Sequence, residues 1–210
     1  MSQLSVKVCG ITRVEDAKRS IALGADLLGL NFWPRSPRFV DFQTAESIVD
    51  QVRGKAVLVG VWVDPELSAV QRSFEELGLD LAQLHGDESP EVMRPIFDRA
   101  LKAFRVESRF GYDQIAPWDD AWGYLFDCAP QGVYGGSGRA WPYERIAGLQ
   151  TFKPQILAGG IGPANLAEAV GLSGASMVDI CSSVEAKPGI KDPEMLEDFF
   201  REVRHVQEAS

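Results

Sequence analysis

The sequence predicts an α/β fold in which eight parallel strands close into a single (β/α)8 barrel of the TIM type. Short, apolar, β-rich runs recur at a nearly even interval, amphipathic stretches separate most of them, and no compositional break divides the 210 residues. The alternative is an open, doubly wound sheet, which usually has fewer strands and a glycine-rich first turn that is absent here. We therefore expect one barrel domain over residues 1–210.

The predicted strands and helices alternate along the whole chain. The strands cover residues 4–9, 25–32, 56–63, 81–85, 100–106, 122–128, 154–159 and 176–182. Intervening stretches such as "VEDAKRSIALG" and "PELSAVQRSFEELG" carry apolar residues at i, i+3 and i+4, which is typical of amphipathic helices. The stretch 110–118 is the least regular and has the weakest helical pattern.

Capping signals predict where the helices begin and end. Thr12 and Glu15 have the spacing of a capping box for the first helix. Proline at a first helical position predicts four later helix starts, at Asp64-Pro65, Ser89-Pro90, Gly162-Pro163 and Asp192-Pro193. Glycine predicts left-handed residues at four helix ends, at Gly24, Gly54, Gly78 and Gly174.

The composition excludes several classes of function. Hydrophobic residues make up 45% and charged residues 24% of the chain, which is typical of a globular protein. The net charge of −9 argues against a nucleic-acid partner, and no apolar run is long enough to span a membrane. The N-terminus lacks the pattern of a secretion signal, and three dispersed cysteines suggest neither a disulfide framework nor a zinc site. We therefore expect a reducing, cytoplasmic location.

The ends of the strands predict an active face that contains a thiol. Active sites of such barrels lie at the C-terminal ends of the strands, where Cys9 ends the first one. Lys7 lies on the same strand face, and a neighbouring ammonium group lowers the pKa of a thiol. A buried cysteine that only packs is the alternative. We interpret Cys128 and Cys181 as such packing residues.

Asp127 ends the sixth strand behind three apolar residues. A carboxyl group in water-excluded surroundings has a raised pKa and is able to act as a general acid near neutral pH. The alternative role is a helix or loop cap. Together, Cys9 as a base and Asp127 as an acid on nonadjacent strands of one barrel face suit a proton-transfer reaction such as an isomerisation.

Other residues at the same face suit the binding of an anionic substrate. The loop "WPRSPRFV" carries two arginines, of which we expect Arg35 to be solvated and Arg38 to bind a carboxylate or phosphate. His85 ends the fourth strand and is either a substrate contact or a structural histidine. The loops after strands seven and eight are common phosphate-binding places, and their candidate residues are Gly159, Gly160, Ser182 and Ser183.

The long loop after strand six, residues 129–141, is rich in glycine. It lacks the pattern of a dinucleotide-binding turn. We interpret it as a cover that excludes water when substrate binds.

Eight motifs, distributed over nearly the whole chain, resemble those of the phosphoribosylanthranilate isomerase family of tryptophan biosynthesis. They occur in the family's order: "KVCGIT", "SPRFV", "VGVWV", "QLHGDE", "LFD", "GGSGRAW", "LAGGI" and "VDICSSVE…GIKD". The resemblance implies an Amadori rearrangement of N-(5-phosphoribosyl)anthranilate, with no metal or organic cofactor. The implied partner is this small phosphorylated substrate, and both a monomer and a homodimer remain open.

The resemblance also implies a role for each candidate residue. Asp127 resembles the general acid that opens the furanose ring, and Cys9 the general base that removes the C2′ proton. Arg38 matches the arginine that holds the anthranilate carboxylate. The backbone amides at 159–160 and 182–183 match the phosphate site. The family's usual Ser-Ser-Gly reads Cys181-Ser182-Ser183 here, which puts the phosphate-binding amides in doubt if the glycine needs a positive φ.

Two alternative functions belong to different classes. A related phosphate-binding barrel enzyme is one alternative: an indole-glycerol-phosphate synthase requires catalytic lysines at strand ends, and a pentose-phosphate epimerase requires metal-binding histidines. His85 is the only histidine near a strand end and no lysine ends strands two to eight, which argues against both enzymes. A non-catalytic barrel that binds a phosphorylated ligand has no need of both Cys9 and Asp127.

Overall fold

The computed structural model describes residues 4–106, 110–127, 143–149 and 151–209. Eight parallel strands close into a barrel in sequential order, which confirms the predicted fold class. The strands are β1 (Ser5–Cys9), β2 (Leu27–Asn31), β3 (Val57–Trp62), β4 (Leu81–Leu84), β5 (Ala100–Arg105), β6 (Gly123–Asp127), β7 (Gln155–Ala158) and β8 (Met177–Ile180). Each lies within the run that the sequence predicted for it.

Helices pack around the barrel between successive strands. They are α1 (Val14–Leu23), α2 (Phe42–Val52), α3 (Leu67–Arg72), α4 (Pro90–Met93), α5 (Tyr112–Ile115), α6 (Tyr143–Ala147), α7 (Leu166–Ser173) and α8 (Pro193–Ala209). A π-helical segment, Ser73–Leu77, extends α3, and 3-10 segments, Arg94–Arg99 and Ala116–Trp118, extend α4 and α5. The shortness of α5 agrees with the weak helical pattern at 110–118. Within the described residues, no helix has the length and apolar character needed to cross a membrane.

The buried side chains form two layers, because successive residues of a strand point to opposite faces. Inside the barrel lies a small cluster of aliphatic side chains: Leu27, Val59, Leu81, Leu101, Ala103, Leu125, Ile156 and Ala158. The larger cluster lies between the outer faces of the strands and the helices, and it includes Val6, Val8 and Leu28. The inner layer fills the barrel below its C-terminal end, and polar side chains line the interior at that end.

Two of the predicted helix starts are confirmed. α4 begins at Pro90, and the hydroxyl of Ser89 caps its first turn. α8 begins at Pro193, and the carboxylate of Asp192 accepts hydrogen bonds from two backbone amides of its first turn. The glycines at 24, 78 and 174 end helical segments in the left-handed region as predicted.

Two of the proline predictions are wrong. α3 begins two residues after Pro65, because the preceding Asp64 is in the left-handed region at φ 47° and its carboxylate accepts a hydrogen bond from the amide of Asp87. α7 begins three residues after Pro163, behind a turn in which the Asn165 side chain binds the Gly162 amide. Because of these loop contacts, both helices begin after their prolines.

The predicted capping box of the first helix is also wrong. α1 begins at Val14, and its N-cap residue makes no side-chain cap hydrogen bond. The hydroxyl of Thr12 instead donates to the carbonyl of Gly189, in the turn between two short antiparallel strands, β9 (Glu185–Lys187) and β10 (Ile190–Lys191). This hairpin follows β8 and lies against the C-terminal end of β1.

Candidate active site

A cavity of about 280 Å³ opens at the C-terminal end of the barrel. It is lined by all eight site residues that the sequence predicted, namely Cys9, Arg38, His85, Asp127, Gly159, Gly160, Ser182 and Ser183. A larger hollow of about 560 Å³ lies at the other end, where β7 and β8 begin, and Lys153 is its one titratable side chain among the described residues. The side chains suited to acid–base chemistry therefore share the C-terminal cavity.

The position of Cys9 follows from the pairing of β1 with its two neighbours. On one side Cys9 is in register with Gly29, and a Cβ atom at Gly29 would lie only 2.9 Å from the Cys9 sulfur. On the other side Lys7 is in register with Asp179, and their side chains form an ion pair of 2.8 Å inside the barrel. The Cys9 thiol therefore lies next to the buried ammonium group of Lys7 on the interior face of β1, two residues further toward the C-terminal end of the strand.

Three polar neighbours favour the thiolate form of Cys9. A hydrogen bond with Cys181 and the positive charges of Lys7 and Lys191 lower the pKa of the Cys9 thiol well below its ordinary value, although burial opposes this. The charge of Asp179 in turn holds the pKa of Lys7 above its ordinary range despite complete burial. The predicted effect of Lys7 on Cys9 is confirmed.

The interpretation of Cys181 as a packing residue is wrong. Cys181 follows β8 directly and lines the same cavity as Cys9. Its sulfur lies 3.9 Å from a carboxylate oxygen of Glu185 and 3.9 Å from the Nζ of Lys191. Interaction with Cys9 together with burial raises the pKa of Cys181 well above the ordinary value. Cys128 lies outside the described residues.

Arg38 reaches the cavity but already has a carboxylate partner. Its Nε and Nη2 atoms donate to both carboxylate oxygens of Glu185, at 2.6 to 3.1 Å. The Nζ of buried Lys191 donates to the same carboxylate at 3.0 Å. Burial raises the pKa of Glu185, but the hydrogen bonds and charges of Arg38 and Lys191 outweigh it and lower that pKa overall. Glu185 therefore holds the arginine fork in place as an anion.

His85 lies between a buried amide and the candidate acid. The Gln83 side-chain nitrogen lies 2.9 Å from His85 Nδ1, so an amide that donates there leaves the ring proton on Nε2. That Nε2 atom is 3.6 Å from a carboxylate oxygen of Asp127, which is longer than a hydrogen bond. With only the described residues counted, the Asp127 side chain is 25% exposed to solvent. The raised pKa that the sequence analysis expects for Asp127 stays a prediction.

The predicted phosphate loops differ in their backbones. Gly159 and Gly160 both lie in the left-handed region, at φ 92° and 72°, which explains the need for glycine there. Ser182 and Ser183 belong to a 3-10 turn, and Asp64 is the one described non-glycine residue with a positive φ. Ser183 therefore pays no backbone penalty in place of glycine, and its hydroxyl donates to the carbonyl of Ile161 at 2.5 Å.

Sequence reasoning missed several of the side chains that shape this site. Asp179 lies beneath Cys9 as the ion-pair partner of Lys7, a role that the sequence analysis did not assign. Glu185 and Lys191 lie in the "VDICSSVE…GIKD" motif, which carried the resemblance but gave them no role. The predicted solvent exposure of Arg35 is confirmed.

Comparison with known proteins gives one consistent result. The family profile of N-(5'-phosphoribosyl)anthranilate (PRA) isomerase matches residues 6–202. An N-(5'-phosphoribosyl)anthranilate isomerase of Acidithiobacillus ferrooxidans is 38% identical over 205 residues, which cover 97% of this chain and 99% of the relative.

Solved structures agree with the sequence relatives. Phosphoribosyl anthranilate isomerase from Thermotoga maritima superposes with a TM-score of 0.86 at 30% identity and covers 97% of this chain and 100% of that one. A phosphoribosyl anthranilate isomerase in complex with reduced 1-(o-carboxyphenylamino)-1-deoxyribulose 5-phosphate has a TM-score of 0.83 at 28% identity, again over 97% and 100% of the two chains.

Proposed function

The chain belongs to the N-(5'-phosphoribosyl)anthranilate isomerase family, and from that premise we propose which of its residues perform the reaction. It is an isomerase of tryptophan biosynthesis, and it catalyses the Amadori rearrangement of N-(5'-phosphoribosyl)anthranilate to 1-(2-carboxyphenylamino)-1-deoxyribulose 5-phosphate. The observation that carries the assignment of roles is that a thiol favoured as thiolate and a carboxyl group open on one cavity.

Asp127 is the general acid. Its proton goes to the furanose ring oxygen, the C1′–O bond breaks, and the nitrogen lone pair forms a protonated Schiff base at C1′. The reaction needs the acid in its protonated form at this moment, and the ring proton on His85 Nε2 then faces the carboxylate that remains. His85 is proposed to contact the substrate beside that carboxylate.

Cys9 is the general base. Its thiolate takes the proton from C2′, and the electron pair of the broken C–H bond moves into the Schiff base to give an enolamine. Tautomerisation of the enolamine to the ketone completes the rearrangement, and the substrate's own iminium group has served as the electron sink. The ammonium group of Lys7 beneath the sulfur keeps the base anionic before it accepts the proton.

The two charged ends of the substrate are proposed to bind on opposite sides of the reacting carbons. The guanidinium group of Arg38, which Glu185 orients, binds the anthranilate carboxylate. The backbone amides of the 159–160 and 182–183 segments are proposed to bind the phosphate, since successive backbone N–H groups in a turn form an anion-binding concavity.

Three variants test this assignment together. Cys9→Ser and Asp127→Asn are expected to lower kcat by about 10²–10⁴-fold while the affinity for a product analogue is retained, because both groups act in the transition state. Arg38→Ala is expected to weaken binding of the analogue as well. A fully active Asp127→Asn enzyme would refute the acid, and loss of analogue binding in Cys9→Ser would refute the base.

All the proposed site residues belong to one chain, and we expect a single domain over residues 1–210 to be sufficient. A Thermotoga maritima relative is described as dimeric, and we propose that this chain has a complete site in each copy whether it is a monomer or a homodimer. Activity per chain that stays constant through the concentration at which sedimentation shows dissociation would support this. We propose a cytoplasmic location, because a reducing compartment keeps a thiol base in its reduced form.

A further inference from the structure

Arg38 and two buried side chains form a group of three charges at the edge of the C-terminal cavity. The Glu185 carboxylate lies between two cations, since one oxygen accepts from Arg38 Nη2 at 2.6 Å and the other from Lys191 Nζ at 3.0 Å. The side chains of Glu185 and Lys191 are 3% and 0% exposed. Among the described residues that line the cavity, Arg38 is the one member of this group. The group therefore presents one cation to the cavity and keeps its other two charges away from it.

Glu185 occupies one edge of the arginine fork. Arg38 Nε donates to both carboxylate oxygens of Glu185, and Nη2 donates to one of them. Within the described part of the chain, no hydrogen bond engages Arg38 Nη1. The edge formed by Nη1 and the second N–H of Nη2 is thus left for a ligand, and a planar fork binds a carboxylate through such an edge with two parallel bonds.

The charge balance of this group depends on Lys191. A salt bridge between Arg38 and Glu185 alone has no net charge, so it would attract a carboxylate only weakly. The ammonium group of Lys191 brings the sum of the three charges to one positive charge. The nearby Asp16 carboxylate accepts a hydrogen bond from the Lys191 backbone amide at 3.1 Å, but its charge is paired with Arg13 at 2.7 Å. The positive charge of the group is therefore left for a ligand.

We propose that Lys191 is a positioning residue for the substrate carboxylate and acts through Glu185 and Arg38. Its buried charge balances that of Glu185, so the carboxylate of Glu185 orients the arginine without cancelling the attraction of the guanidinium group for the anthranilate carboxylate. The inference rests on the role of Arg38 proposed above. It assigns part of the selectivity for a carboxylated substrate to an ammonium group outside the cavity lining.

The hairpin holds this arrangement in place before a ligand binds. Lys191 Nζ also donates to the Cys181 carbonyl at 3.1 Å, which fixes the ammonium group at the end of β8. The Gly189 amide donates to a Glu185 oxygen at 3.2 Å across the turn of the hairpin. Since the donors and the acceptor are all fixed within the protein, binding of the carboxylate needs little rearrangement of the arginine.

The test measures what the carboxylate alone contributes to binding. Calorimetry gives the dissociation constants of two ligands, reduced 1-(o-carboxyphenylamino)-1-deoxyribulose 5-phosphate and the same compound without its carboxyl group. The ratio of the two constants is the carboxylate preference. Binding is measured rather than turnover, because Lys191 also lowers the pKa of the Cys9 thiol and would change kcat by that route. Arg38→Ala is expected to abolish most of the preference.

Two substitutions remove the charge of Lys191. Lys191→Met removes the ammonium group outright, and Lys191→Gln retains an N–H donor for the Cys181 carbonyl, so the test does not depend on the folding of one variant. Both are expected to lower the carboxylate preference by about tenfold, which is the order of magnitude for one charge at partly buried distances. The affinity for the ligand without the carboxyl group is expected to stay within about twofold.

The double variant Lys191→Met/Glu185→Gln tests the charge balance directly. It removes one charge of each sign and leaves Arg38 with one positive charge and an amide oxygen as acceptor. It is therefore expected to recover most of the preference that Lys191→Met loses. Lys102→Met is the matched control, because Lys102 is also a buried ammonium group paired with a carboxylate, that of Glu88 at 2.6 Å. It is expected to lower stability without changing the preference.

The outcomes separate the inference from its premise. An unchanged preference in both Lys191 variants would overturn the inference, and so would an equal loss of affinity for both ligands, which is the mark of a purely structural role. A double variant that recovers nothing, or a loss of preference in Lys102→Met, would overturn the charge balance. A full preference in Arg38→Ala would instead refute the proposed role of Arg38, on which the inference rests.

Discussion

At the scale of single residues, Gly10 controls the space between the proposed base and the arginine. Its φ is 74°, and a Cβ atom there would lie 2.6 Å from the Arg38 Cδ atom. A side chain at this position would therefore have two separate unfavourable effects. One is the strain of a left-handed residue, and the other is displacement of the Arg38 side chain from the cavity.

Gly10→Ala and Gly54→Ala separate these two costs. Gly54 has a similar φ of 72° but no atom within 4 Å of its Cβ position. Both variants are expected to lose about 1–2 kcal/mol of unfolding free energy from the backbone alone, measured by urea denaturation. Gly10→Ala alone is expected to raise the Km severalfold through displacement of Arg38. Equal Km values in the two variants would contradict the role of Gly10 in placing the arginine.

Glu185 is a second residue whose effect follows from its neighbours. Its carboxylate is almost completely buried and accepts hydrogen bonds from Arg38 and Lys191. Glu185→Gln leaves two cations around a neutral amide, one of them buried, and is expected to cost about 3–5 kcal/mol of unfolding free energy. The exposed pair Arg72–Glu76 provides the control, since Glu76→Gln is expected to leave the unfolding free energy almost unchanged. Comparable losses in both variants would contradict the structural role of Glu185.

The sequence was sufficient to predict some of the contacts between these residues but not others. Lys7 and Cys9 share a face because they are two residues apart in one strand, so local alternation predicts their contact. The ion pair between Lys7 and Asp179 depends on how the last strand pairs with the first, which no local pattern contains. The same applies to the bond between Arg38 and Glu185, which are 147 residues apart.

At the scale of elements, the loop after β4 is held by a buried ion pair outside the barrel. Lys102 on β5 points away from the barrel interior and donates to a Glu88 carboxylate oxygen and to the Gly86 carbonyl, both at 2.6 Å. The other Glu88 oxygen accepts from the amides of Gly86 and Asp64. This pair fixes the segment that immediately follows His85.

Removal of one partner of this pair should be more harmful than removal of both. Lys102→Met leaves the fully buried Glu88 carboxylate without its cation and is expected to cost about 3–5 kcal/mol of unfolding free energy. The double variant Lys102→Met/Glu88→Gln removes both charges and is expected to recover part of that loss. Urea denaturation of the two variants measures the difference, and an equal or larger loss in the double variant would refute this account.

The element boundaries show why local signals predicted some helix starts and missed others. Ser89 and Asp192 cap the helices that follow them, because their side chains bond within the first turn of the same helix. Thr12 and Asp64 have capping chemistry too, but each bonds to a distant part of the chain instead. A sequence pattern identifies a group able to cap, and tertiary contacts decide whether it does.

At the scale of the whole molecule, the barrel separates residues that stabilise the fold from residues that act on the substrate. The aliphatic interior fills the lower part of the barrel, and the cavity is lined by the last residues of the strands and by the loops after them. β4 contains both kinds, since Leu81 packs in the aliphatic interior while Gln83 lines the cavity. The even repeat of strand and helix signals in the sequence predicted this division, because it specified a closed parallel barrel.

Leu81→Ala tests whether the two layers are independent. Truncation of this buried side chain is expected to cost about 2–5 kcal/mol of unfolding free energy through lost contacts and the cavity left behind. The kcat/KM is expected to stay within about twofold at temperatures well below the unfolding transition, since Leu81 touches none of the reacting groups and ΔΔG‡ counts lost transition-state contacts. Asp127→Asn is the reverse case, with a large loss of kcat and a small change in stability. A proportional fall of kcat/KM with stability in Leu81→Ala would show that the lower barrel also sets the geometry of the cavity.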